Sequence, residues 1–328
     1  MTVTDLTPER PARLSDGHRP PGIFTDRAFR VVTLLSGLLV LVILGLILYT
    51  TAKQAWPWFR HEGIDAIISD DWNPSANSYG ALGLIWGTFL VALIAMSIAV
   101  PISVGIALFV NEVAPRRLRR PIVYTIDLLA AIPSVVFGLW MLSELAEPLS
   151  NIYLDVSDAL SGIPIIGDIF VNPSATGRAF MTAGIVVGIM ITPIVTAITR
   201  EVFATCPASQ KEAALAIGAT RWEMIRGAVF PHSRGGVIAA FVIGFGRAVG
   251  ETIAVALVIG ASPRLTLEIL GPGETMASII ANQFGEASGI QRSALIGLGV
   301  LLLILTVLTG MLARTVLARS DRKLGIAP

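Results

Sequence analysis

SQKEAALAIGATRWEMIRGAVFP, residues 209–231, is a polar stretch set between two long apolar runs. Its spacing predicts a short helix, a tight turn and a second helix. Ser209 with Glu212, and Thr220 with Glu223, each have the spacing of a capping box, in which a hydroxyl caps free N–H groups and a carboxylate three residues on answers back. Gly218 can take the left-handed conformation that ends the first helix. Pro231 is expected to stop the second. The first helix is too short to hold itself in water. Ala213, Ala214 and Ala216 leave room for another surface to approach. A helix built this way is expected to dock. DNA is a poor candidate, because the element is tied at both ends to apolar runs and a recognition helix must reach a groove.

Those runs dominate the chain. Of 328 residues, 54% are hydrophobic and 14% charged, where a soluble domain carries about 25% charged residues. Mean hydropathy is +0.74. The fold class is therefore expected to be all-α, a polytopic membrane protein. Apolar runs at 31–51, 80–110, 121–145, 179–199, 237–260 and 293–317 predict six transmembrane helices. At about 1.5 Å per residue each crosses a hydrocarbon core of about 30 Å. The first run is longer than the apolar segment of a signal peptide and no small-residue cleavage site follows it, so it is expected to be retained.

Around the spans, 1–30 reads as a disordered polar tail, 52–79 as an extracytoplasmic loop with boundary tryptophans (Trp56, Trp58, Trp72), 80–317 as the core, and 318–328 as a tail. Lys and Arg number five, four, five and four in the N-tail, the 111–120 loop, the 200–236 loop and the C-terminal end. The opposite loops hold two, one and two. Both termini and the 209–231 element are thus expected on the cytoplasmic side. Arg116 to Arg120 reads as a topology determinant near anionic headgroups. Gly83 and Gly87 form a GxxxG, a weak signal for close helix approach.

The 237–260 run holds the chemistry. Arg247 and Glu251 lie four residues apart in the middle of an apolar helix, hence on one face, and Ala240, Gly244 and Ala254 are expected on the same face. An ionised side chain at mid-bilayer costs about 2.5–3.5 kcal/mol on insertion scales. Two readings stay open on the residues alone. The pair neutralises itself and locks the helix to its neighbours, or Arg247 meets a passing anion while Glu251 moderates its grip and Thr252 adds a hydroxyl. His18, His61 and His232 show no metal-ligand spacing, so no metal and no cofactor are expected. Cys206 is the one cysteine and allows no intrachain disulfide. No GxxxxGK[ST] occurs, so ATP phosphates have no cradle here and no catalytic residue is assigned.

Glu212-Ala213-Ala214, then Gly218-Ala219, Ile225 and Phe230-Pro231 resemble the EAA loop of ABC importer permeases. Trp72-Asn73-Pro74, Gly87-Thr88, Pro101, the 132–140 stretch IPSVVFGLW, Pro193 and the 247–252 stretch RAVGET resemble the phosphate-importer permeases of the PstC type. The resemblance implies a MetI-like type I permease fold in a bacterial cytoplasmic membrane. It implies a PstA-type partner permease, two PstB-type ATPase subunits and a PstS-type phosphate-binding protein outside. It also implies that Glu212, Ala213, Ala214, Gly218, Ala219 and Pro231 couple to an ATPase, and that Arg247, Glu251 and Thr252 lie on the path of inorganic phosphate. The alternatives are a permease for another oxyanion, such as molybdate or sulfate, and a stand-alone secondary transporter or channel, for which the EAA loop would have no purpose.

Overall fold

The computed structural model describes residues 23–164 and 166–323. The expected disorder of 1–30 falls for the most part outside them, as do 324–328 of the expected 318–328 tail. The chain is helical almost throughout. Among the described residues five helices are long and apolar enough to cross a membrane, and a sixth span arises if one sharply bent pair counts as a single crossing. The all-α polytopic expectation stands.

The chain divides into two units, residues 1–50 and 51–328. In the first, helix α1 (Ile23–Glu62) shows exposed side chains from 26 to 50. The helix runs well past the 31–51 span, so the first part of the expected 52–79 loop is helical.

In the second unit Trp58, late in α1, is fully buried, and its indole N–H donates to the Tyr79 carbonyl at 2.9 Å. A short helix α2 (Asp65–Ile68) follows, then a two-residue hairpin, β1 (Trp72–Asn73) with β2 (Ser78–Tyr79), paired Trp72 to Tyr79. The turn is set locally. The Asn73 side chain accepts from the Ser75 and Ala76 N–H groups, and Asn77 takes a left-handed φ of 51°. Trp72 stacks edge-on against Tyr79 and is buried. Of the three tryptophans expected at a membrane boundary, only Trp56 is exposed. Trp58 and Trp72 build a core with Met276, Ile279, Leu295 and Leu298.

Helix α3 (Leu82–Leu108) packs along α8 (Phe180–Ala204) to make the central core, in which Ala92, Ala95, Ala183, Val187 and Ile191 are buried. Between them lies the bent pair. Helix α4 (Arg116–Ala130) ends before Pro133, and α5 (Ser134–Trp140) leaves at 87°. The break has a local cause. Pro133 has no N–H to give and drives the residue before it out of helical geometry. The expected span 121–145 is thus two pieces. Helix α5 continues through a wide π turn (Met141–Leu145) into α6 (Ala146–Leu160), so the first half of the expected 146–178 loop is helix. A single turn, α7 (Ile166–Ile169), precedes α8.

Beyond α8 come α9 (Ala208–Ala216) and α10 (Arg221–Met224), then a π turn (Ile225–Val229) that runs directly into α11 (Phe230–Gly250). Helix α12 (Ile253–Val258), an extended segment, α13 (Met276–Gln283) and α14 (Gly289–Lys323) complete the order.

Candidate functional site

The 209–231 element forms a helix-turn-helix by means that differ in part from those expected. Pro207, not Ser209, occupies the N-cap of α9, and no side chain caps that end. The first expected capping box is therefore absent. The helix starts two residues earlier than expected, at Ala208, and carries Ser209 inside it. Gly218 does close α9, at φ +89°, with its N–H bonded to the Leu215 carbonyl. The second capping box forms: Thr220 Oγ1 accepts from the Glu223 N–H at 3.3 Å, and Glu223 Oε2 accepts from the Thr220 N–H at 2.7 Å. Pro231 does not stop the helix. It sits in the first turn of α11, just after the π turn, whose wider ladder absorbs the missing donor.

The element is fastened from below and apolar on top. Lys211 pairs with Glu112 at 2.5 Å, and Met224, Ile225 and Val229 are buried with Phe203, Cys206 and Ala107. Burial pushes the Cys206 thiol up, with Lys211 pulling it down and Glu112 raising it further, so this cysteine is a core residue and an unreactive one. Above, Ile217 is 87% exposed, with Trp222 and Leu215 beside it. Ala213, Ala214, Ala219, Gly227 and Pro231 line a shallow groove between α9 and the start of α11. Glu212 is exposed. The arrangement is a capped knob that leaves Leu215, Ile217 and Trp222 exposed among polar neighbours.

The second site lies at the other end of α11, and here the helix breaks. Gly250 ends it, Glu251 is extended at ψ 127°, and α12 begins at Ile253. Arg247 and Glu251 are thus not one turn apart on a continuous helix. Glu251 caps α12 instead, its carboxylate accepting from the Ala254 N–H at 3.4 Å, and the Thr252 hydroxyl donates to the Gly250 carbonyl at 3.1 Å. Among the described residues Arg247 has no ion pair or side-chain hydrogen bond. The small residues also do other work than expected. Ala240, Gly244 and Ala248 are buried, whereas Arg247 shares an exposed row with Ile243 and Gly250. The structure keeps these three site residues close in the chain, but it separates the guanidinium from the carboxylate.

A third feature lies in a mixed segment with no apolar periodicity to mark it. The segment after α12, expected as part of an outer loop, folds back as a strap against α3 and the start of α8. The Phe180 and Met181 N–H groups donate to the Gly271 and Ile269 carbonyls, and the Trp86 indole N–H donates to the Thr266 carbonyl. The GxxxG of α3 serves this strap rather than a helix. A Cβ on Gly87 would lie 2.1 Å from the Glu274 carbonyl oxygen, and one on Gly83 would lie 2.9 Å from the Arg264 backbone. The strap ends in Glu274, which is 2% exposed, lies outside every membrane-spanning helix, and accepts from the Ser278 hydroxyl. Burial pushes its carboxyl up to about 7, against hydrogen bonds from Ser278 and the Thr275 N–H that pull it down. Thr275 and Ser278 make a capping box at the start of α13, a T-x-x-S spacing visible in the sequence.

Residues 100–325 match the family of binding-protein-dependent transport system inner membrane components. Similar curated proteins are named phosphate transport system permease protein PstC. One from Xylella fastidiosa (strain 9a5c) is 46% identical over 290 residues, 88% of each chain. One from Mesorhizobium japonicum is 39% identical over 303 residues, 92% of each chain. Among solved structures, a bacterial alginate ABC transporter chain aligns at a TM-score of 0.57 with 17% identity, covering 92% of this chain and 98% of that one. A chain of the MetNI methionine ABC transporter aligns at 0.51 with 20% identity, covering 73% and 93%. At these identities the two structures speak to the fold alone.

Proposed function

This chain belongs to the family of binding-protein-dependent transport system inner membrane components, and from that premise we propose that it is the PstC-type permease subunit of an ATP-driven importer that carries inorganic phosphate into the cell. The observation that carries this reading is the knob at 208–224. Leu215, Ile217 and Trp222 stand exposed on an element that is fastened by an ion pair, a capping box and a buried core. Apolar side chains fixed outward in this way lower their free energy when another protein covers them. An ATPase subunit is the partner that suits a permease with no nucleotide cradle of its own. Closure of paired ATPases would move the knob, and through the unbroken run from Arg221 to Gly250 it would move Arg247.

The phosphate assignment draws on the names of relatives up to 46% identical and on the chemistry of Arg247. A guanidinium suits a tetrahedral oxyanion because it can give two parallel N–H bonds. Arg247 is unpaired and exposed at the end of α11, so it is free to meet one. Glu251 and Thr252, at the break, would face the same solute one step along the path. The other subunits are a PstA-type permease set against the exposed Arg247 face, a second ATPase, and a PstS-type binding protein. Both termini would be cytoplasmic.

The test is uptake of labelled phosphate into proteoliposomes, with and without the ATPase and the binding protein. Uptake that needs both, and that arsenate inhibits more strongly than sulfate or molybdate, is the expected result. Uptake without an ATPase would point to a secondary carrier, and preferential inhibition by molybdate or sulfate would reassign the substrate.

A further inference from the structure

Arg116, Arg117, Arg119 and Arg120 stand in the first turn and a half of α4 and line one cavity. They follow directly on the apolar span Leu82–Val113, close in sequence to Glu112, which pairs with Lys211 at the base of the knob. Arg119 is structural: its Nε donates to the Ala114 carbonyl at 3.0 Å and its NH2 to the Asn111 carbonyl at 2.8 Å. Arg116, Arg117 and Arg120 make no ion pair or side-chain hydrogen bond among the described residues.

The placement is electrostatically unfavourable as it stands. A helix N-terminus carries about half a positive charge, and acidic residues are the stabilising choice there. The first turn of α4 has none, and the nearest acid before it, Glu112, is committed elsewhere. Four guanidiniums at the positive end of a dipole call for an anion.

The face they share says which kind. Arg117, Arg120, Tyr124 and Leu128 follow one another at helical spacing, so they form one row. Tyr124 is 64% exposed and Leu128 70% exposed. The row therefore begins cationic and continues through Tyr124 and Leu128, with the exposed Asp127 on its flank seven residues on from Arg120. Free phosphate would use only its first half. The geometry points to a binding site for the phosphodiester headgroup of an anionic phospholipid at Arg116, Arg117 and Arg120, with an acyl chain lying along Tyr124 and Leu128. The assignment needs the chain to span a bilayer and does not depend on which solute it carries.

The test uses the assembled transporter in nonionic detergent, supplied with equimolar phosphatidylglycerol and phosphatidylcholine, with retained lipid counted by native mass spectrometry. At about one favourable interaction of the size of a surface Lys or Arg per guanidinium, wild-type protein should retain phosphatidylglycerol in roughly tenfold or greater preference. The triple variant Arg116→Gln, Arg117→Gln, Arg120→Gln should fall to near parity, and Leu128→Glu should weaken retention with the arginines intact. About 20 mM inorganic phosphate should leave the lipid in place. Parity in the wild type overturns the site and is read without any substitution, so it decides even where the triple variant fails to insert. Preference that survives the triple variant moves the site elsewhere. Displacement of the lipid by inorganic phosphate reassigns the cavity to the free anion.

Discussion

Arg247 and Glu274 are the two ionisable side chains whose surroundings matter most, and they are opposites. Arg247 is exposed and unpaired at the end of α11; Glu274 is buried at the end of the strap. Arg247→Ala should abolish phosphate uptake while the permease still co-purifies with its partners, because the side chain supports no contact within this chain. Arg247→Lys should retain a fraction of uptake, since it keeps the charge and loses the fork. Uptake assays beside size-exclusion profiles check both. For Glu274 the sign follows from linkage. Its folded pKa, about 7, lies above the ordinary carboxylate value of 4.5, so the folded chain holds the proton more tightly than the unfolded chain. The stability that Glu274 contributes is full below about pH 4.5 and is lost as pH rises through about 7, by on the order of 3 kcal/mol. Thermal unfolding of the purified complex should show a lower midpoint at pH 8 than at pH 5. Glu274→Gln should remove most of that difference and raise the midpoint at pH 8. The sequence displayed Arg247 plainly, because a charge in an apolar run is conspicuous. Glu274 was hidden because it lies in a mixed segment where an acid is unremarkable, and only folding buries it.

At the level of elements, the knob joins two kinds of specification. Gly218 at φ +89° is a backbone requirement, and an L side chain there costs roughly 1 kcal/mol. Thr220→Ala should cost about 1 kcal/mol by removing the cap. Neither touches the outer face. Ile217→Asp does, and it changes little inside the chain because Ile217 is 87% exposed. The expected outcome is that Ile217→Asp loses ATPase co-purification with an unchanged unfolding midpoint, whereas Thr220→Ala lowers the midpoint and weakens coupling together. Pull-down and thermal unfolding on the same preparations separate the two. The turn at Gly218 and the cap at Thr220 were legible because each depends on residues within four positions. The absent box at Ser209 and the helix running through Pro231 were not, because the same residues fit either reading until the neighbouring turns are known.

Across the whole molecule, the main departure is that two runs expected as single spans are broken. The 121–145 run bends by 87° at Pro133, and the 237–260 run ends at Gly250 and restarts at Ile253. The strap is tied to the far end of α12, where the Gly273 N–H donates to the Ile259 carbonyl, and α5 packs on α12. Gly87 is where α3 admits the strap. Gly87→Val should expel it, since even the first added carbon would lie 2.1 Å from the Glu274 carbonyl oxygen. Overpacking of this kind costs about 1–3 kcal/mol or more. Limited proteolysis should then cut the 260–275 segment, which stays protected in the wild type.

Composition, apolar periodicity and charge bias were enough to determine an all-helical membrane chain with a capped polar element between two spans, because those signals are local and repeat along the chain. Which glycine meets which carbonyl, which acid is buried, and whether a guanidinium four residues from a carboxylate actually touches it were decided only by the tertiary structure. Each of those depends on segments far apart in sequence arriving at one place, and no spacing within a single helix carries that information.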